Sequence, residues 1–170
     1  MTEQSISPLI SPLAQTATAD FLDVMGPLLK PLTALTKADD DYCVFQLIFP
    51  HGVVVPLHSH ADRETFYMLD GRLEGLTPQG WRSLGPGEVF DVPENARHAW
   101  RNFSGSPASL LLVTTLRMGR FLTKLGRPAA STSLGPPTPA ELERLTALAA
   151  DYGYWLGSPE DNAAVGLVLG

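Results

Sequence analysis

The sequence predicts an all-β fold, an antiparallel barrel or jelly roll followed by two short α-helices. Between Phe21 and Leu116 the chain alternates strand-length apolar runs with turn segments, and no helical pattern separates the runs. The 170 residues include 15 glycines and 15 prolines, a share above the usual one that is typical of many tight connections. Strands in hairpin succession form an antiparallel sheet that closes or doubles on itself, so a barrel or jelly roll is expected.

The apolar runs that predict strands are each five to nine residues long and are separated by turn segments rich in Gly, Pro, Asn, Asp and Ser. The Asp70-Gly71 pair stands between two of these runs and predicts a tight hairpin. The predicted strands cover residues 41–49, 53–57, 65–69, 72–77, 88–92, 97–103 and 109–116.

Two helices are predicted after the strands. The first covers residues 118–125, where apolar residues recur at helical spacing. The second begins at the capping box Thr138-Pro139-Ala140-Glu141 and runs to about residue 151 or 152, with Gly153 as its C-cap. Its apolar stripe is expected to pack on the barrel or on a partner subunit and consists of Leu142, Leu145, Ala149 and Tyr152.

The length suits one domain with modest extensions. Residues 1–20 are rich in Ser, Thr, Ala and Pro and are expected to form a flexible N-terminal arm. The barrel is expected over residues 21–116 and the helices over 117–157. Residues 158–170 have no clear period and are expected to form a tail.

Charge and cysteine content exclude several classes of function. Twelve Lys and Arg against eighteen Asp and Glu give a formal net charge of −6, which disfavours nucleic acid or an anionic membrane as the main partner. A small molecule is the expected partner instead. The single Cys43 excludes an internal disulfide framework and a multi-cysteine zinc site. The N-terminal residues do not resemble a secretory signal and no apolar run has the length of a membrane span, so a cytoplasmic location is expected.

Three of the four histidines lie in short segments that predict a metal site. On a strand, His58 and His60 point to the same face because they are two residues apart, and Glu64 has the same parity. A straight strand separates the Cα atoms of His60 and Glu64 by about 13 Å, too far for metal bonds of about 2.1 Å. The chain is therefore expected to bend at residues 61–63. His98, on a later strand, is the expected fourth ligand.

The spacing of these residues resembles the two signatures of the cupin superfamily, G-x5-H-x-H-x3,4-E-x6-G and G-x5-P-x-G-x2-H-x3-N. One position departs from the second signature, because Asn95 stands where the family has glycine; asparagine tolerates a positive φ better than other non-glycine residues. The matching positions are Gly52, His58, His60, Glu64 and Gly71 in the first signature, and Gly87, Pro93, His98 and Asn102 in the second.

Flanking segments resemble a narrower group, the small single-domain quercetin dioxygenase-like cupins. They are residues 26–30 (GPLLK), residues 121–128 (FLTKLGRP), the helix that begins at Thr138 and the Tyr152-Gly153 pair. With them the resemblance covers about residues 21–157. It implies a double-stranded β-helix of two antiparallel sheets, usually in a homodimer. It also implies one divalent transition metal, Fe, Ni, Mn, Zn or Cu, with the ligands His58, His60, Glu64 and His98.

Parity predicts which side chains line the barrel interior and could contact a substrate. Phe66 and Met68 follow Glu64 on its inward face, and Trp100 follows His98. On the strand at residues 41–49 two alternatives are open. Either Gln46 faces inward with Ile48 and orients a ligand, or the aromatic and leucine residues at the odd-numbered positions face inward.

The resulting hypothesis is a metal-dependent cupin that acts on a small organic molecule inside the barrel, best described as a dioxygenase-like oxidoreductase. Glu64 is expected to serve both as a ligand and as the catalytic proton acceptor. Two alternatives are a non-catalytic cupin that binds or senses a small molecule, and a cupin isomerase or decarboxylase that needs no oxygen. The metal decides between some of these, since Zn favours chemistry without a redox step.

Overall fold

The structure, a computed structural model, describes residues 20–35, 41–131 and 136–168. Of the predicted N-terminal arm, residues 1–19 lie outside the described residues. In chain order the strands are β1 (Leu22–Asp23), β2 (Leu28–Pro31), β3 (Cys43–Phe49), β4 (Val54–Ser59), β5 (Glu64–Asp70), β6 (Leu73–Thr77), β7 (Gly80–Leu84), β8 (Val89–Val92), β9 (His98–Arg101), β10 (Ala108–Thr114), β11 (Arg127–Pro128) and β12 (Trp155–Leu156). The helices are α1 (Leu116–Leu125), a 3-10 turn (Ala129–Ser131), α2 (Pro139–Tyr152) and α3 (Pro159–Ala164).

The strands form two antiparallel sheets, which confirms the predicted all-β jelly roll. The large sheet has the order β11-β1-β2-β3-β10-β5-β8, and the small sheet has the order β12-β4-β9-β6-β7. Successive strands such as β4 and β5 belong to different sheets, so the chain crosses repeatedly from one sheet to the other. Within the described residues no helix is long and apolar enough to cross a membrane.

The core between the sheets fixes the orientation of β3. Burial alternates along this strand, with Cys43, Phe45, Leu47 and Phe49 buried and the residues between them half-buried. The alternative in which Gln46 and Ile48 face inward is therefore wrong, and Gln46 lies on the outer face of the large sheet. The physical reason is that burying Phe45, Leu47 and Phe49 removes more apolar surface from water than burying Gln46 and Ile48.

Several strands carry too little apolar pattern to have been predicted. The strand β7 reads Gly-Trp-Arg-Ser-Leu, and Leu84 is its only fully buried residue. Strands β1, β11 and β12 are two residues long and exist because a neighbouring strand pairs with them. Residues 127–128 and 155–156, outside the predicted barrel, thus extend its sheets.

The two predicted helices are present. Helix α1 begins two residues earlier than predicted, with the Thr115 hydroxyl accepting from the Met118 backbone N–H. The predicted capping box and Gly153 C-cap of α2 are confirmed, and Gly153 has φ 67°. The predicted stripe is buried only in part, because Ala149 packs with α1 residues while Leu142 stays 48% exposed.

The segment expected to be a tail instead contains α3 and lies against the small sheet. The sequence signal is the capping box Ser158-Pro159-Glu160-Asp161, in which the Ser158 hydroxyl accepts from the Asp161 N–H. Asn162 is fully buried, and its side-chain carbonyl accepts from the Leu57 N–H of β4 at 2.8 Å. Leu167 packs in a cluster with Leu57. These contacts attach the C-terminal segment to the strand that leads to His58.

Replacing Asn162 with alanine is expected to lower the free energy of unfolding by about 1–3 kcal/mol, because it leaves the buried Leu57 N–H without its acceptor. Chemical denaturation measures this loss. The matched control is Glu160→Ala on the exposed side of the same helix, expected to change stability by less than about 0.5 kcal/mol. Equal effects of both substitutions would show that Asn162 does not anchor the segment.

Candidate metal centre

Four predicted ligands converge at one end of the barrel from both sheets. His58 lies on β4 and pairs with His98, the first residue of β9. His60 directly follows β4, and Glu64 is the first residue of β5 in the large sheet. The four side chains thus come from strands that face one another across the core.

The predicted bend between His60 and Glu64 is confirmed at residues 61–63, which belong to no strand. At this bend the chain leaves the small sheet and enters the large one. The His60 carbonyl accepts the Asn95 N–H at 2.7 Å, which attaches the start of the bend to the loop before β9. The crossover between sheets is what allows ligands four residues apart to face the same point.

The nitrogen and oxygen atoms of the candidate ligands lie close to one another. One ring nitrogen from each of the three histidines lies within 4.8 Å of the others. The Glu64 Oε2 lies 3.4 Å from His60 Nε2 and 3.2 Å from His98 Nε2. Two atoms that each bind one ion at about 2.1 Å with an angle of about 90–110° are about 3.0–3.4 Å apart. The two measured separations fall in this range.

Backbone carbonyls fix the tautomer of all three rings. His58 Nδ1 contacts the Pro56 carbonyl at 2.8 Å, His60 Nδ1 the Asp62 carbonyl at 2.7 Å, and His98 Nδ1 the Ala96 carbonyl at 2.9 Å. A carbonyl oxygen only accepts, so each Nδ1 carries the proton and each neutral ring has a bare Nε2 lone pair.

The bare nitrogens show that the residues present fit a metal. His60 Nε2 and His98 Nε2 are buried and have no hydrogen-bond partner. Both lone pairs face the Glu64 carboxylate, which also only accepts when it is ionised. Buried acceptors that converge with no donor between them are costly unless a cation lies among them. Imidazole and carboxylate are ligands for divalent transition metals.

The electrostatics of the site follow from burial and from the Glu64 charge. Burial, then the neighbouring His98 and His60, lowers the pKa of His58 to about 3, so His58 stays neutral. Burial opposes ionisation of Glu64, yet the neighbouring His60 and His98 rings lower its pKa overall. Burial likewise opposes the charge on His60, but the Glu64 carboxylate outweighs it and raises the His60 pKa.

Metal affinity is therefore expected to fall in acid. The His60 pKa is raised above its ordinary value of 6.5. Below pH 6.5 the His60 ring of the metal-free protein therefore holds a proton that the metal ion must displace. Affinity should fall about tenfold per pH unit below pH 6.5, while His58 contributes no competing proton there. Calorimetric metal titrations from pH 7.5 to 5.5 measure this, with circular dichroism to check folding. An affinity independent of pH over this range would contradict the assignment of His60 as a ligand.

Of the four residues predicted to contact substrate, three are buried inside the barrel and one, Gln46, is not. Phe66, Met68 and Trp100 face inward as parity indicated, but each is at most 3% exposed. The Trp100 ring lies 4.5 Å from the Phe66 ring and 4.6 Å from the Phe90 ring, between centroids. They fill the barrel interior, so their contact with a substrate stays a prediction. Gln46 is on the outer face and lies outside this site. Of the three histidines His58 is the least buried.

Sequence reasoning missed two residues beside the ligands. Asp62, in the bend, is 4% exposed, and its Oδ2 accepts from the Tyr154 hydroxyl at 2.5 Å. The Tyr154 ring lies 5.3 Å from the His60 ring. The position of Asp62 between two ligands is a signal that sequence analysis could have used. Tyr154 is 92 residues further along the chain, and no local pattern points to it.

Comparison with known proteins identifies the domain. Residues 44–114 match the Cupin_2 family, described as a cupin domain. This segment is less than half of the chain and contains all four predicted ligands. No curated protein matches the sequence.

Solved structures share the fold at low sequence identity. The polyketide cyclase RemF from Streptomyces resistomycificus is 19% identical with a TM-score of 0.50, over 54% of this chain and 66% of that chain. This chain thus spans slightly less than two thirds of the cyclase. KdgF from Halomonas sp. is 21% identical with a TM-score of 0.49, over 56% and 86% of the two chains. The Cupin_2 domain of an XRE family transcriptional regulator from Enterobacter cloacae is 24% identical with a TM-score of 0.46, over 53% and 96%.

At 19% identity, the likeness to the cyclase shows the fold alone. The family match, by contrast, covers the ligand-bearing strands from β4 to β9 and agrees with the two-sheet topology. Residues 44–114 therefore form a cupin domain, and this domain supports kinship of the chain with the cupin superfamily.

Proposed function

We propose that this protein binds one divalent transition metal through His58, His60, Glu64 and His98 and uses it to transform a small organic molecule. The observation that carries the proposal is the pair of buried, unpartnered Nε2 atoms that face the Glu64 carboxylate. A metal bound there supplies Lewis-acid or redox chemistry to a substrate. Four ligands leave one or two positions of a five- or six-coordinate ion for water, oxygen or substrate.

The chain's own residues supply orientation and proton transfer. The carbonyls of Pro56, Asp62 and Ala96 hold the three rings with Nε2 toward the common point. Glu64 Oε2 is ionised and accepts a proton from a substrate that approaches on the His58 side. The rings of Phe66, Phe90 and Trp100 pack together and fill the barrel interior, so we place the substrate outside that core.

Within this activity we favour a dioxygenase-like oxidation, in keeping with the resemblance to quercetin dioxygenase-like cupins. Substrates with an enol, dicarbonyl or phenolic group would suit such a site, because their oxygens are ligands for divalent metals. The expected result is oxygen uptake in proportion to product formed, lost on Glu64→Gln. Full turnover without oxygen would contradict the dioxygenase and leave an isomerase or decarboxylase.

A second candidate is a non-catalytic cupin that binds a small molecule. It is favoured by the engagement of Asp62, the nearby second carboxylate, whose oxygens accept from three side-chain donors and are not available as a base. Ligand binding by calorimetry with no product after prolonged incubation would support this candidate. The small-molecule partner, the homodimer and the cytoplasmic location stay predictions.

A further inference from the structure

A buried carboxylate connects the C-terminal part of the chain to the metal centre. Asp62 lies in the bend between the ligands His60 and Glu64 and is 4% exposed. Residues outside the cupin-domain match supply its side-chain donors. We call Asp62, Thr115, Arg117 and Tyr154 the Asp62 network.

Three donors compensate the buried charge. The Tyr154 hydroxyl donates to Oδ2 at 2.5 Å, and Arg117 donates to the same oxygen at 3.0 Å. The Thr115 hydroxyl donates to Oδ1. Thr115 is the N-cap of α1, while Tyr154 follows the C-cap of α2, so the ends of both helices meet at this carboxylate. A carboxylate held by charge-assisted hydrogen bonds has little freedom to rotate.

The same residue fixes a metal ligand through its backbone. The Asp62 carbonyl accepts the His60 Nδ1–H at 2.7 Å, and the Tyr154 ring packs 5.3 Å from the His60 ring. A change in the position of Asp62 therefore changes the angle of the His60 ring and the direction of its Nε2. Outer partners of this kind orient a ligand and raise its basicity.

We infer that Tyr154 is a positioning residue for the metal centre, acting through Asp62 to orient His60, so that the C-terminal segment completes the site. The inference rests on the proposed metal site. Burial and the hydrogen bond to Asp62 raise the pKa of Tyr154, which keeps its hydroxyl protonated as the donor that the geometry requires. If Tyr154 only attached the helices to the barrel, its substitution would lower the stability of the fold without changing metal affinity.

The test is Co²⁺ titration of the metal-free full chain carrying Tyr154→Phe, followed by visible absorption. This substitution removes one hydroxyl and keeps the ring. The expected result is about 10–100-fold weaker Co²⁺ binding with altered ligand-field bands. The matched control is Tyr152→Phe, the same change two residues earlier, where the ring contacts Phe121 and Tyr154. It is expected to bind Co²⁺ within about twofold of the wild type.

A second variant keeps the test decisive if Tyr154→Phe folds poorly. Asp62→Asn keeps the backbone carbonyl and removes the charge, and it should weaken Co²⁺ binding in the same range. Wild-type affinity and bands in either folded variant, with only a lower melting temperature, would overturn the inference and leave the proposed metal site intact. A wild-type chain that binds no Co²⁺ would overturn both.

Discussion

Replacing His98 with alanine is expected to weaken divalent-metal binding by more than about 100-fold, beyond the 10–100-fold that loss of an outer partner costs. His98 Nε2 lies 3.2 Å from Glu64 Oε2, and its Nδ1 is already committed to the Ala96 carbonyl. Among the described residues, the group of side chains that could hold an ion contains His58 and His60 besides His98. Isothermal titration with Ni²⁺ or Co²⁺ measures the loss.

The matched control for that prediction is His51→Ala. His51 is exposed, and its Nδ1 accepts the Gly105 N–H at 3.1 Å, away from the ligand cluster. Its removal should leave metal affinity unchanged. Circular dichroism checks that the His98 variant keeps its β structure, because His98 is 1% exposed and its truncation leaves a cavity. Undiminished affinity in a folded His98 variant would place the metal elsewhere.

Replacing Trp100 with alanine is expected to lower the free energy of unfolding by about 3–5 kcal/mol. Trp100 is 2% exposed and lies within 4.6 Å of the Phe66 and Phe90 ring centroids, at the centre of the core. Gly75 on the neighbouring strand leaves the space for this ring, since a Cβ there would come within 2.9 Å of it. Truncation leaves a cavity that rigid sheets fill poorly.

Guanidinium unfolding of Trp100→Ala measures that loss, and Phe103→Ala provides the comparison. Phe103 is 57% exposed, so its truncation should cost less than about 1 kcal/mol. Similar losses in both variants would mean that Trp100 does not hold the two sheets together. A small loss would instead favour the earlier prediction that Trp100 borders a substrate space.

The convergence of the candidate ligands could be predicted because the chemistry of a metal constrains distance. His58 and His60 share a face by strand parity, and the reach of a metal bond requires the bend before Glu64; the structure has both features. The capping box at Thr138 was predictable for a similar reason, since a few adjacent residues form the whole motif. Features that depend on the spacing of a few nearby residues can therefore be predicted from the sequence.

Other features depend on contacts that no local pattern encodes. Gln46 could not be oriented from parity, because β3 carries apolar residues on both faces and only packing between the sheets selects one. Strands as short as β12 form only because β4 lies beside them. The hydrogen bond from Tyr154 to Asp62 depends on how the two helices pack on the barrel. The sequence predicts each helix but not its packing position.

The most direct test of the central claim is the metal content of the protein purified without chelator or metal-affinity resin, measured beside His58→Ala. The metal site predicts close to one divalent transition metal per chain in the wild type and a large loss in the variant. Fe, Ni, Mn or Cu would support the oxidation, and Zn would favour isomerase or decarboxylase chemistry. A wild type without metal, or a His58 variant with undiminished metal content, would contradict the claim.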